Sequence, residues 1–490
     1  MQTITTTTDR PRDRRFALTF TGLLLAMLLA SLDQTIVSTA LPTIVRDLGG
    51  IDDLSWVVTA YLITATVSTP LWGRISDLYG RKRLFQAAIA IFLAGSALSG
   101  MAQSLGELIA FRAFQGLGAG GLMTLAMAIV ADIVSPRERG RYQGYIQMTF
   151  MVASIAGPLL GGLFTDHASW RWAFYVNLPI GFAALSVITR YLDLPATDRG
   201  RPRIDFLGSA LLAGGLSSVL LVTVWGGRQY AWNSAQVLGL IAAAAVLLAG
   251  FVAQERRAPE PILPLRLFRE PVFAVVTVTL FLTGCAFFAA IVFMPVFLQL
   301  ATGASATNSG LLLLPMLLSG TATTAITGRA IARTGRYKPF PVAGLALMAT
   351  GLYLMSTMDA GTSRAITSLF MVVFGVGFGL VTQVLVLAVQ NGVDRRDIGV
   401  ATGSTNLFRA LGGSVAVALY GAILTGGLDG ARTGSQTAVA DALHPVFLVA
   451  AGIAVVALAA VLFLREVPLA TVSGHDRKPE GQGAGVPRAA

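Results

Sequence analysis

Apolar residues in this chain run in stretches of about 20, the length a helix needs to cross a ~30 Å hydrocarbon core at 1.5 Å per residue. Polar residues are gathered into short connections between them. The stretches fall at about 16–41, 54–73, 84–103, 106–131, 142–165, 173–192, 206–226, 236–253, 272–299, 307–330, 339–357, 365–389, 399–425 and 445–464. The pattern predicts an all-α, multi-pass membrane protein of about 14 transmembrane helices with both termini on one side. Arg10, Arg12, Arg14 and Arg15 precede the first stretch, as in a secretory leader. That stretch is longer than the roughly 7–15-residue apolar core of a leader and further spans follow at once, so it is read as a retained helix.

One polar position breaks the pattern. Asp33 is the single acidic residue deep within an apolar span, and placing a charge there costs at least ~2.5–3.5 kcal/mol, which marks it as a functional candidate. Arg112 and Arg409 are the two arginines inside predicted spans.

Composition agrees with the pattern: 54% of the 490 residues are hydrophobic and 12% charged, against roughly 25% charged in soluble domains. The net charge of +11 comes from basic residues dispersed over short loops, which argues against a nucleic-acid partner. With the N-terminus inside, only Arg46, Arg171, Arg228, Arg364 and Arg432 fall in outer loops, so the bias of Lys and Arg sets both termini in the cytoplasm. Trp56, Trp170, Trp172 and Trp232 sit at predicted outer span ends, where headgroup anchoring is expected. The single cysteine, Cys285, rules out a disulfide framework and CxxC metal spacing. His167, His444 and His475 lie in predicted loops or the tail, and there is no phosphate-binding GxxxxGK[ST] loop. No enzyme activity, cofactor or metal is expected.

The segment Gly73–Arg83 after span 2 aligns with Gly328–Lys338 after span 10, so spans 1–6 and 9–14 are read as repeated halves. The resulting organisation is a cytoplasmic tail at 1–15, a six-helix bundle at 16–194, cytoplasmic segments with two extra helices at 195–262, a second six-helix bundle at 263–466 and a cytoplasmic tail at 467–490. A short amphipathic surface helix is expected around Ile262–Phe268, and disorder from about Thr471. Within Gly73–Arg83 the glycines Gly73 and Gly80 permit close helix approach and a tight turn. Pro158 in Gly157–Gly162 removes a helical hydrogen bond, and the flanking glycines flatten that face for packing.

Gly73–Arg83 resembles the GxxxDxxGR[RK] loop of the major facilitator superfamily. Leu32–Pro42, Arg112–Gly118, Gly157–Gly162 and Trp170–Pro179 resemble motifs of its fourteen-span drug:proton antiporter branch. The resemblance implies that Asp77 faces the N-terminus of span 13 and that Arg81 pairs with Asp132, together latching the inner side shut. It implies proton coupling by Asp33 and Arg112, and antiport from the motif containing Gly157, Pro158, Gly161 and Gly162. Ala332 stands where the second copy would carry an acid. Gln115, Gln383 and Arg409 are candidates for a central cavity, with Gln390 near Gln383 on span 12.

The expected protein is a monomeric exporter in the cytoplasmic membrane that uses proton entry to expel lipophilic compounds. Asp33 would take a proton from outside and release it inside. Monocations and neutral amphiphiles are expected to be moved better than bivalent cations. Export of a lipid or a dedicated metabolite is the alternative, and a channel or receptor fits less well because polar intramembrane residues are sparse.

Overall fold

The computed structural model describes residues 10–48, 54–194, 205–227, 229–304, 309, 311–429 and 436–469. The chain beyond residue 469, where disorder was expected, and the segment 195–204 lie outside the described residues.

Helices follow the apolar stretches. They are α1 (Arg10–Leu48), α2 (Leu54–Tyr79), α3 (Arg81–Met101), α4 (Leu105–Ile133), α5 (Pro136–His167), α6 (Asn177–Tyr191), α7 (Phe206–Trp225), α8 (Ala235–Glu255), α9 (Pro271–Val296), α10 (Leu314–Thr334), α11 (Pro339–Met355), α12 (Arg364–Gly392), α13 (Ile398–Asp429) and α14 (Gln436–Leu462). Local signals set their starts. Side chains of Ser104, Asp205, Ser234 and Ser363 accept from the backbone N–H three residues on, satisfying donors that a helix N-terminus leaves free. Prolines open α5, α9 and α11, where a missing N–H costs nothing.

Among the described residues, 11 helices are long and apolar enough to cross a membrane. The predicted spans at α2, α10 and α11 are helical but fall outside that set. Thr59, Thr64, Thr66, Ser68 and Thr69 dilute the apolar character of α2, Thr321, Thr323, Thr324 and Thr327 dilute that of α10, and α11 is only 17 residues long.

Helix pairing has the same form at the two ends of the chain. α1 packs on α5 and α6, α2 on α4, and α3 on α4 and α6; α9 packs on α13 and α14, α10 on α12, and α11 on α12 and α14. The two sets meet where α5 lies on α10 and α2 on α13. The extra helices α7 and α8 pack on each other, and α7 also lies against α2 and α13. Gly80 and Gly335, aligned by the sequence repeat, both adopt positive φ (93° and 72°), a backbone conformation that only a residue without a Cβ enters freely.

The segment after α8 departs from expectation. It forms a five-residue 3₁₀ turn at Leu265–Arg269 rather than an amphipathic surface helix. Ile262, Leu263 and Leu267 are buried in the protein core, and the backbone amides of Ile262 and Leu263 donate to the Glu255 carboxylate at 3.1 Å each. The two bonds to Glu255 hold the segment against the core, where these three side chains are covered.

Candidate functional site

Along α1, α3 and α4 the apolar core is interrupted at one level. One cluster contains Ala30, Phe92 and Ala119, another contains Leu32, Ile36 and Leu108, and between them lie Asp33, Ser96, Arg112 and Gln115. Asn177, at the start of α6, completes the layer. Asp33, Gln115, Asn177 and Ser96 are 0% exposed and Arg112 is 1% exposed.

The layer is closely bonded. Arg112 Nη1 pairs with Asp33 Oδ2 at 2.5 Å and donates to Gln115 Oε1 at 2.7 Å. Gln115 Nε2 and Asn177 Nδ2 both donate to Asp33 Oδ1, at 2.9 and 2.8 Å. Asn177 also donates to Ser96 Oγ, which donates to the Phe174 carbonyl, at 2.9 Å in each case. Arg112 and Gln115 reach one carboxylate because an i,i+3 spacing sets them on one helix face. The Tyr61 ring centroid lies 4.0 Å from the Arg112 guanidinium carbon, a cation–π contact. Such burial of an ion pair is tolerable only when the remaining hydrogen-bonding capacity is also met.

Asn177, Ser96 and Tyr61 are parts of this site that the sequence reading missed. Asn177 stands within the Trp170–Pro179 motif, but nothing in sequence spacing ties α6 to Asp33. Trp170 differs from its expected place at the headgroups. It is 3% exposed, and its indole Nε1 donates to Asp47 Oδ2 at 2.7 Å. The indole and the neighbouring Arg171 hold the Asp47 carboxyl below the usual carboxylate range.

A second constellation lies at the α2–α3 turn. The backbone amides of Gly399 and Val400, in the first turn of α13, donate to Asp77 Oδ1 and Oδ2 at 3.2 and 3.0 Å. Burial pushes the Asp77 carboxyl up to about 6, and the free N–H groups and the positive end of the helix dipole act in the opposite sense, towards the carboxylate. Arg81 donates to Asp77 Oδ1 at 3.0 Å, pairs with Asp132 Oδ2 at 2.7 Å and donates to the Ala128 carbonyl at 2.7 Å. Gly73 allows the approach, since a β-carbon there would strike the Gly399 carbonyl.

Gly157 and Gly161 seat α5 on α1: β-carbons there would strike Thr35, and the Ile36 carbonyl with Thr39, respectively. Gly162 has no such neighbour, and Pro158 is exposed. Thr35 Oγ1 also donates to the Ala153 carbonyl at 3.0 Å.

Between the two sets of helices lies a cavity of about 500 Å³. Gln383 Nε2 on α12 donates to Gln147 Oε1 on α5 at 3.4 Å beside it, and the Phe287 and Phe378 rings stack at 4.3 Å on its wall. Arg409 and Gln383 line this cavity. Gln115 does not: it is fully buried in the Asp33 layer, because its side chain is drawn to the ion pair. Gln390 is likewise turned away and donates to Thr402 at 3.2 Å. The cavity volume lies within the ~300–1,000 Å³ of drug-sized ligand sites, and its walls are mainly apolar.

Comparison with known proteins places these features in context. Residues 23–417 match the family model of the Major Facilitator Superfamily. The chain is 44% identical to the uncharacterized MFS-type transporter Rv1877 of Mycobacterium tuberculosis, over 96% of this chain and 72% of that protein. It is 39% identical to the multidrug transporter protein MdtP of Bacillus subtilis, over 83% of this chain and 75% of that protein. Among solved structures, the human organic anion transporter MFSD10 superposes with a TM-score of 0.66, covering 91% of this chain and 99% of that one; at 18% identity this likeness concerns the fold alone.

Proposed function

The chain belongs to the Major Facilitator Superfamily, and on that premise we propose that this multi-pass transporter exports lipophilic small molecules in exchange for protons by alternating access. The observation that carries the proposal is the sealed Asp33–Arg112–Gln115–Asn177 layer, with Asp33 two residues before Thr35 on the cavity wall. Asp33 is the proton carrier in this reading. Protonation removes the charge that holds Arg112 and frees its guanidinium, so a proton and a change of packing are coupled at one residue. The multidrug transporter among the relatives supports a lipophilic substrate.

The contact of Asp77 with α13 closes one end of the interface between the halves, which we assign to the cytoplasmic side from the distribution of basic residues. The conformation is then inward-closed. Matching helix pairs and paired positive-φ glycines support the two-fold repeat, with α1–α6 and α9–α14 as related bundles and fourteen membrane crossings in all. Both termini then lie in the cytoplasm.

The test is transport in proteoliposomes holding the full chain, with an imposed pH gradient and a panel of neutral, cationic and anionic amphiphiles. Gradient-dependent accumulation that collapses with a protonophore is the expected result. Accumulation indifferent to the gradient overturns proton coupling.

A further inference from the structure

Arg409 is the one charged residue on the cavity wall, and no hydrogen bond or ion pair reaches its side chain among the described residues. A guanidinium cannot shed its proton, and a cation in a water-poor setting is costly unless a counter-charge meets it. The intramembrane carboxylate of Asp33 is unavailable, since both its oxygens are taken by Arg112, Gln115 and Asn177. Arg112 is thereby neutralised within the protein, which leaves the cavity itself with a net positive charge. Among the described residues, two more polar atoms on the wall lack partners: Thr382 Oγ1, a hydroxyl able to donate, and Gln383 Oε1, an acceptor on a side chain 8% exposed. Asn406, three residues before Arg409 on α13, also lines the cavity.

We propose that the cavity is selective for lipophilic organic anions, aromatic carboxylates or sulfonates, with Arg409 as the receptor for the acid group. The proposal rests on the reading that this cavity is the transport site. A planar carboxylate or a sulfonate matches the guanidinium fork through two parallel hydrogen bonds. The stacked Phe287 and Phe378, with Phe150 and Phe374, give the aromatic body an apolar wall. An N–H or O–H on the ligand would satisfy Gln383 Oε1. This departs from the charge expectation drawn from sequence, which favoured monocations and neutral amphiphiles: a monocation gains nothing from a wall that carries no carboxylate and one free guanidinium.

The test uses two probes with one aromatic body, 1-anilinonaphthalene-8-sulfonate and its uncharged parent N-phenyl-1-naphthylamine. Each is titrated against the full chain in nanodiscs, with empty nanodiscs as background. The sulfonate is expected to bind at least about tenfold more tightly than the parent, the worth of a hydrogen bond to a charged group. In Arg409→Gln that ratio falls to within about threefold of one, and Arg409→Lys, which keeps the charge without the fork, lies between. A wild-type ratio of one or less overturns the proposal without any variant, as does a ratio that Arg409→Gln leaves intact. Proteoliposome transport separates the two levels: tight sulfonate binding with no uphill movement of any compound sinks the exporter reading and leaves the anion site standing. Gradient-driven movement of the neutral probe alone does the reverse.

Discussion

Asp77→Asn offers a sharp test of how the halves are held together. In the wild type each carboxylate oxygen takes one backbone amide of α13, and Oδ1 also takes Arg81. An asparagine keeps one acceptor oxygen and turns an NH₂ group towards the other amide, so one buried N–H is left facing a donor. A lost hydrogen bond to a charged group, with a buried donor stranded, costs about 1.5–3 kcal/mol, and every 1.4 kcal/mol is about tenfold in a population. The closed-to-open ratio should therefore fall by roughly 10- to 100-fold. Because Cys285 is the sole cysteine and is buried, its replacement by Ala allows spin labels at Arg83→Cys and Arg336→Cys, exposed positions at the ends of the two halves. Pulsed electron spectroscopy would then show a longer-distance population in Asp77→Asn. Gly73→Ala attacks the same contact by another route, pushing a β-carbon into the Gly399 carbonyl, and should lengthen the distances as well. Distributions unchanged from wild type in both variants would refute the latch.

Other expected outcomes follow from the same geometry. Asp33→Asn should abolish gradient-driven export while retaining substrate exchange, and undiminished uphill export in that variant would remove Asp33 from the coupling. Asn177→Leu strips a donor from both Asp33 and Ser96, and should lower thermal stability in nanodiscs by an amount on the order of 1–3 kcal/mol; an unchanged melting temperature would make that bond dispensable. Gly157→Val places two methyls where Thr35 packs, so export should fall sharply with insertion into the membrane preserved, and normal export would mean α5 need not seat on α1. If one proton enters for each monoanion expelled, two charges cross per cycle, so 100 mV adds about 4.6 kcal/mol, against about 2.3 kcal/mol for a neutral substrate. Accumulation of the anion in proteoliposomes should respond about twice as steeply, on a logarithmic scale, to an imposed potassium diffusion potential, and equal slopes would contradict that stoichiometry.

The sequence by itself determined the class of the molecule, because the length of an apolar run and the absence of charge within it are local properties that hydrocarbon imposes on any chain. It also isolated Asp33 and Arg112, since a charge within such a run stands out against its neighbours. Partnerships between distant helices were another matter. That Asp77 reaches the first amides of α13 and that Arg81 spans to Asp132 are implied by family resemblance, not by spacing, and the direct pairing of Asp33 with Arg112 is set by the fold. Only tertiary packing decided the fate of the remaining polar residues. Gln115 and Arg409 are each a polar side chain in an apolar span, yet Gln115 is consumed by the ion pair while Arg409 is left facing open space. The same holds for Asn177, Trp170 and Ile262–Leu267, whose partners are Asp33, Asp47 and the protein core. A side chain's partner is set by which helices the fold brings within about 3 Å, and hydrophobic periodicity places a residue on a helix face without naming the helix it faces.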